Sequence, residues 1–408
     1  MRPAPETGVP KHMTSDKKYL LGQYFTEPAA VDRSLRLVKE FIDPPPGSRV
    51  LEPSAGTGNF VEGLKKAGFR DVTACEIDPA LTSTPQDFFL YPLSEKFDLI
   101  IGNPPFSNYN VARSYFFPEE YQKTAVPPRS YLPAPLAKKE KTRMEDAFIL
   151  KTLAHLKDNS KSSVGYVLPL SFFIKGRSLE VKKELVRRFS TMVIYQTDAR
   201  WVREGVPCCF AIFSNVPSLA RKAVLIFEDS TIHKATTVSL DRVLDTELVP
   251  KSFLYKESLS LVGTPLSEYL EPLSPRYKKS FTVNNVSAKN ILSHAKIPPG
   301  GDPSGYALAV TRVGDASVGK SGLVDLESDV LNDMFYVFKF KPGHDDRETK
   351  EAVCAALNEN TSHFKNLTYR TGSKSLKRDD VLEFRVNLTN QPKTLLNISS
   401  THLISMQS

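Results

Sequence analysis

Residues 29–214 alternate between amphipathic helical stretches and short apolar strands, and this rhythm constrains the fold more than any other feature of the sequence. A helix is predicted over AAVDRSLRLVKEFI, with Thr26 as its cap and Pro28 in its first turn. Strands are predicted over RVLEP, DVTACEID, FDLIIG, SSVGYVLPL, TMVIYQ and PCCFAIFSN, most of them separated by helical stretches. Strands separated in this way pair in parallel, so the sequence predicts an α/β fold with a doubly wound sheet.

The rhythm ends near residue 217, which divides the chain into two predicted domains. Residues 1–18 are expected to form a disordered lead, and residues 19–217 the α/β domain. Within it, residues 107–145 are polar, basic and proline-containing, which is typical of a mobile loop. Beyond it the strand-like pieces are shorter and less regular, so residues 220–408 are predicted to form a smaller α+β domain.

The composition argues against a membrane protein and against a secreted protein, and it favours a protein with a polyanionic partner. No apolar run approaches the roughly 18 residues of a membrane span, and the N-terminus lacks the apolar core of a secretory signal. We therefore expect no membrane association, and a location in the cytoplasm of a prokaryote or virus host, or in the nucleus if the source is eukaryotic. The four cysteines form no CxxC pair, which predicts buried thiols rather than a metal site. The net charge of +8 favours a polyanionic partner.

The segment LEPSAGTGNF, residues 51–60, joins a predicted strand to a predicted helix through a glycine turn. Gly56 and Gly58 let the backbone approach a ligand closely. A dinucleotide-binding turn would place a third glycine where Val61 stands, and Glu52 would repel a pyrophosphate. An acid is favourable beside a cation. The turn therefore favours S-adenosylmethionine, which carries a sulfonium and an ammonium group and no phosphate.

Two further acidic positions follow in the same half of the chain. Glu76, in CEIDP, ends the next predicted strand 18 residues after Gly58, where a carboxylate can accept hydrogen bonds from ribose hydroxyls. Asp87 and Phe88 follow in QDFF, and they are candidates to bind the adenine amino group and ring of the cofactor. A solvated Glu76, or an Asp87 that only caps a turn beside a core phenylalanine, are the open alternatives.

The sequence Asn103-Pro104-Pro105-Phe106 directly follows the strand FDLIIG and carries the predicted chemistry. An exocyclic amino group on adenine is a poor nucleophile because its lone pair is delocalised into the ring. Two acceptors aimed at its hydrogens, the Asn103 side-chain carbonyl and the Pro104 backbone carbonyl, favour a pyramidal nitrogen. Phe106 can stack on the base. Attack on a sulfonium methyl needs no metal, so positioning and electrostatics suffice.

These motifs resemble the adenine-N6 DNA methyltransferases of the gamma group, over roughly residues 19–215. The residues GQYFTEP at 22–28 are similar to that family's N-terminal cofactor motif. The resemblance implies a Rossmann-like mixed seven-stranded sheet with its last strand antiparallel, a C-terminal target-recognition domain and base flipping. It assigns S-adenosylmethionine to Thr26, Glu52, Pro53, Gly56, Gly58, Glu76, Ile77, Asp87, Phe88 and Asn103, and catalysis to Asn103, Pro104, Pro105 and Phe106.

Double-stranded DNA is the partner that the resemblance implies, and a separate restriction endonuclease is a further one whose presence the sequence leaves open. The family supplies a second aromatic face for the target base from a loop before the last strand, where Trp201 is the candidate; core packing is the alternative. Phosphate contacts are predicted for Arg370, Lys374, Lys377 and Arg378 near the C-terminus. The basic loop residues Arg113, Lys123, Arg129, Lys138, Lys139, Lys141 and Arg143 either close over DNA or form a solvated surface.

Three other functions stay open. The same turn occurs in methyltransferases that act on RNA bases and on a glutamine amide, and a non-catalytic DNA-binding subunit with this fold is a third possibility. A formal phosphate-binding pattern, GDASVGKS at 314–321, is interpreted instead as a glycine-rich hairpin turn, because Gly322 and LVDLESDV make a poor helix. The predicted function is site-specific adenine-N6 methylation of DNA.

Overall fold

The computed structural model describes residues 21–107, 143–257, 262–273, 286–314, 316–370 and 374–388. The predicted disordered lead and nearly all of the predicted mobile loop lie outside these residues. The chain divides into two compact units, the first formed by residues up to 259 with 366–375, and the second by 260–365 with the residues from 376 onward. Within the described ranges, no helix combines the length and the apolar character that a membrane span requires.

The first unit alternates helices and strands as the sequence predicts. Its elements along the chain are α1 (Pro28–Phe41), β1 (Arg49–Glu52), α2 (Asn59–Lys66), β2 (Asp71–Ala74), β3 (Leu99–Gly102), α3 (Met144–His155), β4 (Ser163–Pro169), α4 (Leu179–Arg188), β5 (Thr191–Thr197), β6 (Cys208–Ser214), β7 (Lys222–Glu228), β8 (His233–Ser239), α5 (Arg242–Asp245) and α6 (Pro250–Glu257).

These strands form one mixed sheet of eight strands in the order β2-β1-β3-β4-β6-β5-β7-β8. Strands β2, β1, β3 and β4 are mutually parallel, and β6 is antiparallel to both of its neighbours. The α/β class and the mixed sheet are confirmed, but the sheet has eight strands rather than seven. The strands β7 and β8 come from residues that the sequence analysis placed in the C-terminal domain, so the first unit extends to residue 259 instead of 217.

Burial explains this difference for β8, whereas the apolar run of β7 is buried and visible in the sequence. The central strands β4 and β6 are buried along their whole length, which makes them prominent apolar runs in the sequence. The edge strand β8, with the sequence HKATTVS, is mostly exposed and polar, and it joins the sheet through its ladder with β7. A polar edge strand has little hydrophobic pattern, so its membership of the sheet is not visible in the sequence.

Helices cover both faces of the sheet, because alternate residues of the central strands enter separate apolar cores. Ile100 and Tyr166 enter the core that includes α3 and α4, whereas Ile101 and Val167 enter the core that includes α1 and α2. The cap of α1 differs by one residue from the prediction: Glu27 precedes the helix, with Pro28 as its first residue, and its side chain makes no capping hydrogen bond.

The second unit is built from antiparallel strands and helices. Its elements are β9 (Thr264–Pro265), β10 (Leu270–Leu273), β11 (Tyr306–Thr311), β12 (Ser321–Asp325), β13 (Phe335–Phe340), α7 (Arg347–Glu359), most of α8 (Thr361–Leu367), α9 (Arg378–Leu382) and β16 (Arg385–Val386). Between α8 and α9 the chain forms β14 (Tyr369–Arg370) and β15 (Lys374–Ser375), a pair that belongs to the first unit. In the second unit a four-stranded sheet has the order β10-β13-β11-β12, and β16 pairs with β9.

The pattern GDASVGKS lies between β11 and β12, which pair in antiparallel fashion. A phosphate-binding loop would lead from a strand into a helix, whereas this segment leads from one strand back into its neighbour. The interpretation as a hairpin connection is therefore confirmed.

Candidate active site

A cleft of about 770 Å³, counted out to open solvent, lies where β1 and β3 end and where the chain continues beyond β2. Carboxyl ends of parallel strands meet at one edge of a sheet, which brings motifs distant in sequence together. The lining residues are Leu21, Gly22, Gln23, Tyr24, Phe25, Pro53, Ser54, Gly56, Glu76, Ile77, Gln86, Asp87, Phe88, Phe89, Asn103, Pro105, Met144 and Phe148.

The lining is apolar with two acidic groups. Glu76 and Asp87 reach the cleft, and none of its lining residues among those described is lysine or arginine. A phosphate-bearing ligand would need cationic side chains or a free helix N-terminus to balance its charge. A cleft with two carboxylates therefore suits a cationic ligand that has no phosphate.

The Glu76 carboxylate is held in place by two backbone amides. Its Oε2 accepts a hydrogen bond of 2.7 Å from the Gly56 amide, and its Oε1 accepts one of 2.8 Å from the Asp78 amide. Gly56 itself has a φ of +54°, which glycine adopts readily. Each carboxylate oxygen keeps a second lone pair, so a fixed and directed acceptor remains for a hydroxyl group.

Asp87 caps a turn, which is one of the two roles that the sequence left as alternatives, and it also lies at the cleft where the other role, cofactor binding, stays a prediction. Its Oδ1 accepts a hydrogen bond of 2.9 Å from the Phe89 amide and so caps the short 3₁₀ turn Phe88–Leu90, while the residue also lines the cleft. Phe88 is buried with its ring 5.1 Å from that of Phe148, and both reach the cleft wall. These rings provide an apolar surface on which a planar ligand group can pack.

A buried cation lies behind this wall. Lys151 is 2% exposed, and its Nζ donates a hydrogen bond of 3.0 Å to the Tyr91 carbonyl. Burial lowers the pKa of Lys151 to about 8, and the negative charge of Asp87 opposes that change. The lysine therefore contributes a favourable field at the Asp87 carboxylate without reaching the cleft itself.

Asn103 directly follows β3, and the orientation of its amide is fixed by one hydrogen bond. Its Nδ2 donates to the Tyr24 carbonyl over 2.6 Å. Its Oδ1 is buried and has no hydrogen-bond partner among the described residues. A buried acceptor without a partner costs free energy, which a native structure tolerates where a ligand donates to it. The amide thus presents its carbonyl as a preformed acceptor.

The rest of the Asn-Pro-Pro-Phe turn packs against residues 22–24. Pro105 lines the cleft, while no donor among the described residues reaches the Pro104 carbonyl. The Phe106 amide donates to the Gly22 carbonyl over 3.3 Å, and the Phe106 ring stacks against that of Tyr24. The N-terminal motif and the predicted catalytic turn are therefore one packed unit.

Glu52 does not line the cleft, which differs from the prediction that it contacts the cofactor. The residue is 1% exposed, and its carboxylate lies against Gly102, where a side chain would overlap it. Burial raises the pKa of Glu52 to about 8, so the group is largely neutral at pH 7. Its Oε1 accepts a hydrogen bond of 2.9 Å from the Ser54 amide. Glu52 therefore stabilises the floor of the cleft.

Thr26 and Gly58 also lie off the cleft lining. Thr26 is buried in an isolated bridge with Val202, and its carbonyl accepts a hydrogen bond of 2.8 Å from Asn59 Nδ2. Gly58 precedes α2 with a φ of +83° and lines a second depression, which shares Gly56 and Glu76 with the cleft. Cofactor contacts of Thr26 and Gly58 stay predictions. Pro53, Gly56, Glu76, Ile77, Asp87, Phe88 and Asn103 are the predicted cofactor residues that the structure does bring together there.

Trp201 is a core residue, which corrects its predicted role as a stacking surface. It is 2% exposed, its ring lies parallel to that of Phe210 at 6.3 Å, and the Arg33 guanidinium covers it at 5.4 Å. Tyr195 contacts it edge-on. A base cannot stack on a ring whose faces are already occupied, so the core-packing alternative holds for Trp201.

Sequence reasoning missed several cleft residues. The Ser54 hydroxyl donates to the Asn103 carbonyl over 2.9 Å, linking the glycine turn to the catalytic turn. Gln23 Nε2 donates to Asp78 Oδ2 over 2.8 Å, which links the N-terminal motif to the CEIDP motif. Ser54 lies within LEPSAGTGNF and Gln23 within GQYFTEP, so their membership of these motifs could have indicated a place at the site. Met144 and Phe148 on α3 carry no local motif, and only the packing of α3 brings them to the cleft.

The predicted phosphate contacts near the C-terminus separate into two groups. Arg370 and Lys374 lie in the paired strands β14 and β15 and belong to the first unit. Lys377 and Arg378 lie at the start of α9 in the second unit. There the Arg378 guanidinium lies 5.5 Å from the centre of the Tyr336 ring, with that of Arg312 at 5.8 Å. Arg143 pairs with Glu145; the other basic loop residues lie outside the described part.

All four cysteines are free and buried, as the sequence predicts. Burial raises the pKa of the Cys75 thiol to about 12 and that of Cys354 to about 11. The thiols are therefore protonated and unreactive at neutral pH.

Comparison with known proteins agrees with the geometry. The model of the family described as N-6 DNA Methylase matches residues 70–287. The type II methyltransferase M.TthHB8I of Thermus thermophilus is 29% identical over 185 residues, which cover 43% of this chain and 41% of the relative. M.HincII of Haemophilus influenzae is 34% identical over 98 residues, or 23% of this chain and 19% of the relative. The modification methylase CviBIII of Paramecium bursaria Chlorella virus NC1A is 31% identical over 24% of this chain and 30% of the relative.

The chain thus spans less than half the length of each of these relatives. Among solved structures, the methyltransferase subunit of a type I restriction-modification system from Streptococcus thermophilus aligns with a TM-score of 0.39 and 17% identity over 55% of this chain and 58% of that one. The type IIL restriction-modification enzyme MmeI aligns with a TM-score of 0.42 and 10% identity over 90% of this chain and 66% of that one.

Proposed function

Because the N-6 DNA methylase model matches more than half of its length, the chain belongs to that family, and from this premise we propose that it transfers a methyl group from S-adenosylmethionine to N6 of adenine in DNA. The family predicted from the sequence is thereby confirmed. The curated relatives are named as type II methyltransferases and a modification methylase, which supports a modification activity for this chain.

One observation carries the proposal: the buried Asn103 carbonyl oxygen with no hydrogen-bond partner among the described residues. Its amide nitrogen is already bonded to the Tyr24 carbonyl, so the amide is held with its acceptor towards the site. A planar amino group whose hydrogens must be drawn out of conjugation needs such an acceptor. The Pro104 carbonyl, on the next residue of the same stiff turn, is the second acceptor that we assign to this amino group.

The cleft fits S-adenosylmethionine by the chemistry of its lining. Glu76 is preorganised to accept from ribose hydroxyls, and Asp87 with the Phe88 and Phe148 rings suits an adenine group. The absence of lysine and arginine among the described lining residues agrees with a ligand that carries positive charge and no phosphate. When bound, the cofactor supplies a methyl group activated by its sulfonium centre.

The protein's own contribution is positioning. Ser54 and Tyr24 fix the backbone and the amide of Asn103 through hydrogen bonds of 2.9 and 2.6 Å. An acceptor fixed in this way has no reorganisation to undergo when the amino group becomes pyramidal, which is the main source of catalysis in sites of this type. Pro105 and Phe148 add apolar surface to the lining of the same cleft.

We assign binding of double-stranded DNA to basic residues of both units. Lys377 and Arg378 of the second unit, and Arg370 and Lys374 of the first, are the proposed phosphate contacts, and the second unit, rather than all of residues 220–408, is the proposed region of target recognition. A separate restriction endonuclease as functional partner also stays a proposal, supported by the names of the type II relatives.

The function is tested by incubating the protein with labelled S-adenosylmethionine and either unmethylated duplex DNA or RNA, followed by nucleoside mass spectrometry. We expect N6-methyladenine in the DNA sample. Label in the RNA sample alone would replace DNA by RNA as substrate. Cofactor binding with no label in either sample would contradict the proposal and favour a non-catalytic subunit or a protein substrate.

A further inference from the structure

The burial of Trp201 leaves the target base with a single assigned aromatic face, that of Phe106. A flipped base that has lost its neighbours in the duplex is stabilised by stacking between aromatic or apolar side chains. One ring therefore leaves half of the base's π-surface to find another partner in the site.

Tyr24 is an aromatic residue in direct contact with Phe106. Its ring and that of Phe106 stack with their centres 5.6 Å apart and their planes inclined by 28°. Both side chains are only half-buried, and Tyr24 lines the cleft. Trp201, in contrast, is enclosed by Phe210, Tyr195 and Arg33. Among the described residues, Tyr24 and Phe106 form the aromatic pair that includes a residue of the catalytic turn.

The backbone of Tyr24 is tied to the catalytic turn at two points. Its own carbonyl accepts from Asn103 Nδ2, and the carbonyl of Gly22 accepts from the Phe106 amide. Gly22 has a φ of +62°, and a Cβ there would lie 2.6 Å from the Phe106 nitrogen, so only glycine permits this approach. The Tyr24 ring is thus held beside the same turn that presents the acceptor for the amino group.

We propose that Tyr24 provides the second aromatic face for the target adenine, opposite Phe106; this inference rests on the proposed methylation of DNA. A base between two rings needs about 7 Å between the ring planes, twice the roughly 3.4 Å spacing of stacked bases. The two rings are stacked on each other at present, so they must separate by about the thickness of one base, roughly 3.4 Å, to admit it. A rotation of the Tyr24 side chain achieves this without moving the backbone bonds that hold Asn103.

The test compares Tyr24→Ala, Tyr24→Leu and Tyr24→Phe with the wild-type protein. The methylated site is first mapped with wild-type protein, and a duplex is then made with the fluorescent adenine analogue 2-aminopurine at the target position. Methyl transfer to the unmodified duplex is measured at saturating cofactor, cofactor affinity is measured by calorimetry, and the fluorescence of the analogue reports stacking. Gln23→Ala is the matched control, because it loosens the same segment by removing the hydrogen bond to Asp78 but keeps the ring.

We expect Tyr24→Ala and Tyr24→Leu to reduce transfer by on the order of tenfold to a hundredfold, the usual effect of losing one stacking partner, and to leave the analogue brighter than in the wild-type complex. Tyr24→Phe should match wild type in both measurements. Gln23→Ala should weaken cofactor binding while the analogue stays as quenched as in wild type.

Three results would overturn the inference. Unchanged fluorescence and transfer in Tyr24→Ala would assign the second face to another residue, such as an aromatic side chain of residues 108–142. Full rescue by leucine would show that Tyr24 acts only by packing. Wild-type protein that makes no N6-methyladenine in any DNA would remove the proposed function and this inference together, a result distinct from failure of the variants alone.

Discussion

The candidate functional residues of the first unit can be predicted from the sequence much more readily than those of the second unit. In the first unit, part of the cleft is formed by residues that follow β1, β2 and β3 within a few positions of each strand end: Pro53, Ser54, Gly56, Glu76, Ile77, Asn103 and Pro105. In the second unit, the sheet β10-β13-β11-β12 is antiparallel throughout, and its candidate contacts Lys377 and Arg378 stand outside it on α9.

The difference has a geometric cause. Parallel strands end at the same edge of a sheet, so a polar residue after each strand is directed to one place regardless of the intervening sequence. Antiparallel strands end at alternating edges, so residues that meet come from unrelated positions in the sequence. Single substitutions in the cleft, where the functional residues lie at one edge of the sheet, should therefore change activity strongly. Single substitutions on a dispersed DNA-binding surface should each change affinity weakly, and their effects should add.

The largest expected effect is at Asn103. Asn103→Ala removes the preformed acceptor and should lower methyl transfer by on the order of a hundredfold to a thousandfold, as loss of one preorganised hydrogen-bonding group does elsewhere. Cofactor affinity, measured by calorimetry, should stay within a few fold of wild type. Asn215→Ala is the control, because the Asn215 side-chain carbonyl accepts a hydrogen bond from the Ser190 amide at the opposite edge of the sheet. Near wild-type transfer by Asn103→Ala would show that the chemistry lies elsewhere.

Glu76 should give the next largest effect, on binding rather than on the chemical step. Glu76→Ala removes a carboxylate that organises the Gly56 and Asp78 amides, so we expect cofactor binding to weaken about tenfold to a hundredfold. The control is Glu62→Gln on α2, whose exposed carboxylate pairs with Lys66. Equal affinities of Glu76→Ala and wild type would place the ribose site away from Glu76.

The pH dependence of the melting temperature tests whether Glu52 stabilises the fold beneath the cleft. Its pKa is raised to about 8 in the folded protein, so the stability associated with its protonation is complete below its ordinary pKa of 4.5 and is lost as the pH rises towards 8. Glu52→Gln should therefore show a flatter fall of the melting temperature between about pH 5 and pH 8 than wild type. Glu145, whose pKa is raised to about 7, is present in both proteins and cancels in the comparison. Parallel curves for the two proteins would contradict the assignment.

The smallest effect is expected in the second unit. Lys377→Ala and Arg378→Ala should each weaken DNA binding only a few fold, with transfer at saturating DNA unchanged. Together they should lower the slope of log affinity against log salt by about two, if both contact phosphates. Lys339→Ala, on the exposed side of β13, is the control. A hundredfold loss from either substitution would show that this surface is as concentrated as the cleft.

The two aromatic residues considered for base stacking show where sequence reasoning reached its limit. The position of Trp201 before the last long apolar strand predicts a stacking role, yet its faces are covered by Phe210 and Arg33. The motif GQYFTEP predicts no stacking role for Tyr24, yet the Tyr24 ring stacks on that of Phe106. A sequence gives the identity of a ring but not which of its faces stays uncovered, because that depends on residues far along the chain.

The sequence alone determined the α/β class, the family and the set of short motifs, because each rests on local chemistry: apolar periodicity, a glycine turn with an acidic neighbour, and an Asn-Pro-Pro-Phe turn after a buried strand. The tertiary structure alone decided that β8 completes the sheet, that Glu52 and Trp201 are buried, and that Ser54, Tyr24 and Phe148 join the cleft. These outcomes depend on long-range packing and on the desolvation of individual groups, and neither leaves a periodic or local signal in the chain.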